Sequence, residues 1–272
     1  MASDHHHHLH HGGHSLGPLS EKAMHSPDVY RIGRRKFLTD LGRGSFAVAI
    51  LGLAACTDSP SSAPSSTLPT ATGGGAGLQW AQVRDGSVSA YLLIRGSSVA
   101  VVDTGNGAAA EIGTTLADLG LNFDNIEHVI LTHKHPDHIG GLGDLVAAVP
   151  TASLYAGAAD IGVIQSPNPL VAIGDGDSVF GLDVYNTPGH TPGSISVIDS
   201  EIGLLVAGDA LNGNADGTEL TGANPSFTED MALAGQSIQK LAGLNVSTAL
   251  MGHGNPVVDG AGALLTELAA SL

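Results

Sequence analysis

From about residue 78 the chain alternates between two spacings of apolar side chains, and the alternation predicts its elements. The apolar, β-branched runs at 89–94 and 99–102 flank Gly96, Ser97 and Ser98, which predicts a hairpin. Apolar positions then switch to helical spacing at Ile112, Leu116 and Leu119, predicting a helix over 108–119. A short strand is expected at 127–131, followed by a helix over 139–148. The second half repeats the order. A strand is expected over 178–185, a hairpin from 195–198 and 204–207, a helix over 229–241, a strand over 246–251 and a closing helix over 261–270.

What lies before residue 78 reads differently. Gly33-Arg34-Arg35-Lys36-Phe37-Leu38 resembles a twin-arginine export signal, and the apolar stretch 46–55, ten residues long, is too short to span a bilayer. It ends in Leu53-Ala54-Ala55-Cys56, which resembles a bacterial lipobox, so cleavage before Cys56 and acylation of its thiol are expected. Cys56 is the single cysteine of the chain, which removes an intramolecular disulfide as its role. The histidine-rich run 5–14 is read as a tag or an overlong translated start upstream of Met24, with metal storage a weaker third reading, and is set aside. Residues 57–77, rich in Ser, Pro, Thr and Gly, have the composition of a flexible tether. The expected organisation is therefore a signal region over 1–56, a linker over 57–77 and one catalytic domain over 78–272, on the extracytoplasmic face of a bacterial membrane.

Charge narrows the partners. After Cys56 there are four basic residues, Arg84, Arg95, Lys134 and Lys240, against 22 acidic ones, and 4 minus 22 gives a net charge of −18 with histidine neutral. A surface of that sign repels nucleic acid and anionic headgroups, so a small-molecule substrate is expected and contact with a membrane only through a lipid on Cys56. Oligomeric state is not encoded in any pattern found.

The chemistry is concentrated in Thr132-His133-Lys134-His135-Pro136-Asp137-His138. Imidazoles with one carboxylate are what a borderline cation such as zinc takes as ligands. In an extended segment His133, His135 and Asp137 point one way, whereas the adjacent Asp137 and His138 need two ions or a sharp turn. Pro136 argues against a helix interior. Of 14 histidines, eight lie in the first 25 residues. Five of the other six fall in loop-like stretches: the 132–138 run, Pro188-Gly189-His190-Thr191-Pro192-Gly193 and Gly252-His253-Gly254. Asp209 adds a carboxylate after an apolar run. Asp103 is read as a residue that fixes the ligand-bearing loop, and His128 as structural.

These motifs, with Val101-Val102-Asp103-Thr104-Gly105 upstream, resemble those of the metallo-β-lactamase-fold hydrolase superfamily over residues 78–272. The resemblance implies a single α/β domain, an αββα sandwich with the site at one edge of two sheets. It implies that His133, His135 and His190 hold one divalent ion, that Asp137, His138 and His253 hold a second, and that Asp209 bridges them, with zinc favoured over iron or manganese. A hydroxide shared by two ions roughly 3.5 to 4 Å apart would then attack an ester, lactone or thioester carbonyl. Asp137 is a candidate for leaving-group protonation, with Tyr155 and Tyr185 eligible by residue type only. Asn224, Pro225 and Phe227 are expected near the substrate. The chain after His253 is too short for the helical substrate domain of the hydroxyacylglutathione hydrolases. The alternatives weighed are a β-lactam-hydrolysing enzyme, a mononuclear iron persulfide dioxygenase and a non-catalytic metal-binding lipoprotein.

Overall fold

The central strands of residues 77–272, the part of the chain that the computed structural model describes, are apolar on both faces because each is covered twice. The export signal, Cys56 and nearly all of the tether lie outside the described residues. β1 (Gln79–Asp85), β2 (Val88–Arg95) and β3 (Ser98–Val102) form an antiparallel meander. The chain crosses over through α1 (Ala109–Asp118) to β4 (Ile126–Leu131), then through α2 (Pro136–Ile139) and α3 (Leu142–Ala148) to β5 (Ser153–Gly157) and β6 (Leu170–Ile173). These last three strands add in parallel, so six strands lie in sequence order, and helical crossovers are what parallel neighbours require.

The second sheet begins with β7 (Ser178–Val179), β8 (Leu182–Asn186), β9 (Ile195–Asp199) and β10 (Leu204–Gly208). A ribbon of β11 (Leu211–Gly213) and β12 (Leu220–Gly222) follows, then α4 (Met231–Ala242), β13 (Thr248–Met251) and α5 (Ala261–Ala270). The sheet order is β13-β10-β9-β8-β7, antiparallel except where β13 joins β10 in parallel after α4.

Alternation along each strand divides the core into three. On β2, Leu92 and Ile94 face α1 and α3, joining Ile112, Leu116, Leu142 and Leu145. Their neighbours Tyr91 and Leu93 face the other sheet, joining Val184, Ile195, Val197 and Leu250. Beyond the second sheet, Leu205, Ala249 and Met251 meet Ile238 and Leu241 of α4 and Leu265 of α5. The layers are therefore helices, sheet, sheet, helices: the expected αββα sandwich. Each fully buried Leu or Ile contributes about 1.5 to 3 kcal/mol, which makes the two-sided burial of the strands the main source of stability.

Two expected elements are corrected. The helix over 139–148 is broken into α2 and α3, because Gly141 passes against the Thr104 carbonyl, where a Cβ would collide, and its N–H donates to Gly105 O (3.1 Å). The strand over 178–185 is a hairpin, turned by Phe180 (φ 56°) and Gly181 (φ 74°), the paired positive φ values of a tight two-residue turn. The other expected strands and helices are present with ends shifted by one or two residues, and β1, β5, β6 and the β11–β12 ribbon have no counterpart in the expected order.

Candidate metal centre

The loops that leave the C-terminal ends of β4, β10 and β13, together with the loop after β8, meet at one edge of the sandwich. Past β4 the chain stays extended through His135 (φ −66°, ψ 143°), the conformation a following proline imposes. Pro136 then opens α2 at its first position, where a missing N–H costs nothing. That single turn resolves the adjacency of Asp137 and His138, for both reach the same group of side chains as His253. The grouping of Asp137 with His133 and His135, expected from strand alternation, does not hold. His133 and His135 meet His190 instead.

All seven residues singled out in the sequence are brought together. His133 Nε2 lies 3.1 Å from His135 Nδ1, which lies 2.9 Å from His190 Nε2. In the other group His253 Nε2 is 3.3 Å from Asp137 Oδ2, and His138 Nε2 is 3.8 Å from the same oxygen. Asp209 stands between the groups: its Oδ2 is 3.4 Å from both His190 Nε2 and His253 Nε2, and its Oδ1 is 3.3 Å from His138 Nε2. His133, His138, His190 and Asp209 are buried, while His135, Asp137 and His253 reach the surface.

The far nitrogens of these rings show which lone pairs point inward. His138 Nδ1 donates to Asp103 Oδ2 (2.8 Å) and His253 Nδ1 to Ser87 O (2.9 Å). Thr132 Oγ1 donates to Asp103 Oδ2 (2.7 Å), so it accepts from His133 Nδ1 (3.0 Å). Thr228 Oγ1 donates to Asn224 O (2.7 Å), so it accepts from His190 Nδ1 (3.1 Å). Nε2 of His133, His138, His190 and His253 is thereby left as an acceptor aimed at the centre. His138 Nε2 and Asp209 Oδ1 are buried and have no hydrogen-bond partner. Lone pairs crowded this closely, two of them orphaned, fit a divalent cation.

Electrostatics agree. Burial pushes the His133 imidazole well below its usual value and that of His190 down to about 4, keeping both neutral as ligands must be. Burial opposes charge on His138 too, but the carboxylates of Asp103 and Asp209 outweigh it and push the ring up to about 10. Burial likewise opposes ionisation of Asp209, yet the imidazoles of His138 and His253 beside it hold it far below the usual carboxylate range. The centre thus demands positive charge, supplied by a proton on His138 where no cation binds.

Asp103 has the role expected of it. Held at φ 61°, it accepts from Thr132 N (2.8 Å) and anchors both Thr132 and His138. Asp160 is a group that sequence reasoning missed. Fully buried, it accepts from Lys134 N (3.0 Å), Thr191 Oγ1 (2.6 Å) and Gly193 N (2.9 Å), tying the His133–His135 segment to the His190 loop. Tyr91, also missed, donates to Met251 O (2.7 Å) and so fixes the strand that delivers His253. At Gly252 any Cβ would collide with Asp209 Oδ1 and His138 Cε1.

A cavity of about 610 Å³ opens over the centre, lined by Asn106, Pro136, Asp137, Asn212, Asn224 and Phe227 among others. Asn224 and Phe227 are where they were expected; Pro225 is not part of the lining. Neither phenol is. Tyr155 packs beside His128 (5.7 Å between ring centres), and Tyr185 lies under the Lys240 ammonium (5.6 Å). His128 is a packing residue, also against Phe180.

The sequence model of the metallo-beta-lactamase superfamily matches residues 83–161 and 165–253, ending on His253 itself. This chain belongs to the metallo-β-lactamase superfamily. Thioesterase pkgB of Emericella nidulans is 31% identical over 172 residues, covering 62% of this chain and 46% of that protein. The chain thus spans just under half the length of that relative. The uncharacterized protein YobT of Bacillus subtilis is 28% identical over 198 residues, covering 61% of this chain and 83% of its own. Among solved structures, a metallo-beta-lactamase family protein from Thermus thermophilus superposes with a TM-score of 0.57 at 27% identity, covering 72% of this chain and 79% of the other. Members of this superfamily bind divalent metals, and the His and Asp groups gathered here are ones that could hold them.

Proposed function

We propose that the protein is a binuclear metal-dependent hydrolase of an ester, lactone or thioester. The observation that carries this reading is the position of Asp209, one carboxylate oxygen equidistant, at 3.4 Å, from His190 Nε2 and His253 Nε2. His133, His135 and His190 would hold one ion, Asp137, His138 and His253 the other, and Asp209 both. Zinc suits this nitrogen-rich set best, with iron and manganese next. When bound, such a pair lowers the pKa of water to near neutrality and polarises a carbonyl oxygen. The chain supplies the rest. Asp103, Thr132, Thr228 and Ser87 hold four imidazoles in one tautomer, which removes reorganisation from the reaction. Asp137 lines the cavity and is half-exposed, suited to carry a proton to the departing atom. Pro136 and Phe227 give the acyl chain an apolar wall. The relative named as a thioesterase supports the acyl-transfer class. Export through the twin-arginine signal and a lipid on Cys56 would place this activity at the outer face of a membrane.

The test is metal analysis by plasma mass spectrometry on the zinc-loaded full chain and on Asp209→Ala, alongside assays on esters, lactones and thioesters. The variant is expected to hold about one ion per chain fewer than the parent, both carrying the same histidine-rich run 5–14, and to lose at least ~100-fold in turnover. The parent's ion count and full activity in Asp209→Ala would refute the bridging assignment.

A further inference from the structure

We infer that Phe227 makes the site selective for the length of a substrate's apolar acyl arm, so that esters and thioesters of medium-chain acids are turned over better than those of acetate. This rests on the hydrolase reading and narrows its substrate class.

Phe227 is 66% exposed, whereas every other Phe, Tyr and Trp among the described residues is buried or half-buried. Single exposed apolar side chains are common on protein surfaces. What sets this one apart is its place, on the wall of the cavity of about 610 Å³ that opens over the centre, a volume within the range of ~300–1,000 Å³ usual for small-molecule pockets. Pro136 is the other apolar residue of that wall, which otherwise presents amides, Ser87 and the proposed ligands. Apolar contact with a substrate is therefore concentrated on one phenyl ring and one pyrrolidine, and the phenyl ring is the larger.

The segment that carries the ring is held in place. Asn224 Oδ1 accepts from Ser226 N (3.0 Å), and Asn224 O accepts from both Phe227 N (3.1 Å) and Thr228 Oγ1 (2.7 Å). The residues that follow are tied to the His190 loop. Thr228 Oγ1 accepts from His190 Nδ1 (3.1 Å), Glu229 N donates to His190 O (3.2 Å) and Asp230 N donates to Gly189 O (2.9 Å). The backbone of Phe227 is thus fixed relative to a proposed ligand, and only the two torsions of its side chain are left to settle on an acyl chain, which keeps the entropic cost of contact low. Each methylene withdrawn from water onto such a ring gains about two- to fourfold in affinity, and binding energy from an arm remote from the reacting carbonyl is read in kcat/KM.

4-Nitrophenyl acetate, butyrate and hexanoate, with buffer hydrolysis subtracted, test this on the zinc-loaded full chain of the parent, Phe227→Ala and Phe227→Leu. From acetate to hexanoate the parent's kcat/KM should rise at least about fivefold. In Phe227→Ala the rise should shrink to about twofold or less, and Phe227→Leu, which keeps an apolar side chain, should restore most of it. A flat series in the parent, or an undiminished rise in Phe227→Ala, overturns the role of Phe227 while leaving the hydrolase intact. Acetohydroxamate and hexanohydroxamate are titrated in parallel by calorimetry, every protein carrying the same histidine-rich run 5–14. Tighter binding of the longer hydroxamate that is lost in Phe227→Ala, with no turnover of any ester, upholds the role of Phe227 and overturns the hydrolase; equal binding of the two by the parent, with no turnover, overturns both.

Discussion

At the scale of single residues, the centre is organised by the partner each imidazole has on its outer side. A histidine whose Nδ1 proton is claimed by a carboxylate, hydroxyl or carbonyl can offer only Nε2 inward, and four of the five histidines are held this way. This gives the metal-free protein a characteristic pH response. His133 and His190 have folded-state pKa values lowered by burial, so the unfolded chain binds more protons through the range up to the unperturbed value of about 6.5, and stability rises with pH there. His138 is raised to about 10, so its contribution is complete below about 6.5 and is lost as pH climbs through 10. The urea midpoint of chelator-treated protein should therefore peak near pH 7 and fall toward pH 10. A midpoint still rising from pH 8 to 10 would show that His138 does not hold the proton between Asp103 and Asp209. The seven proposed ligands were legible in the sequence through the motifs that carry the family resemblance; their outer partners were not, since Ser87, Thr132 and Thr228 carry no signal until a ring lies beside them.

Elements decide which of these residues meet. Strand alternation put His133, His135 and Asp137 in one set, and the one-turn helix α2, opened by Pro136, redistributed them. Gly140 and Gly141 end that helix so that α3 can restart and bury Leu142 and Leu145. Asp160 shows what local pattern cannot reveal. Its three partners lie 26, 31 and 33 residues away, and two of them are backbone N–H groups, which carry no residue-type signal. Replacing it strands the buried Gly193 N–H, at a cost of about 1 to 3 kcal/mol, and releases the Lys134 N–H and the Thr191 hydroxyl, which frees the His190 loop from the His133–His135 segment. Asp160→Ala is expected to weaken zinc binding by roughly 10- to 100-fold, read by competition with a chromophoric chelator. Zinc affinity equal to the parent's would mean that the two loops are held by other contacts.

For the molecule as a whole, the proposal is of an acidic domain carried behind an export signal, an acylated Cys56 and a Ser/Pro/Gly tether. On that proposal, Cys56→Ser should shift the protein from the membrane to the soluble fraction with turnover unchanged, as judged by fractionation of cells expressing both forms. Retention of the variant in the membrane fraction would remove the anchor from the account. What the sequence determined by itself is the central strands and the donors: continuous apolar, β-branched runs dictate strands buried on both faces, and His-x-His-x-Asp-His with its three partner motifs dictates ligand types, while the layers were implied by the family resemblance. Both are local properties, written in spacings of a few residues. Only the tertiary structure decided which ligands share an ion, that Asp209 stands between the two groups, that both phenols are remote, and that the cavity walls are amides. Those facts depend on how two sheets pack and where four loops, as far apart in sequence as His133 and His253, come to rest, and no short-range pattern encodes a distance across a core.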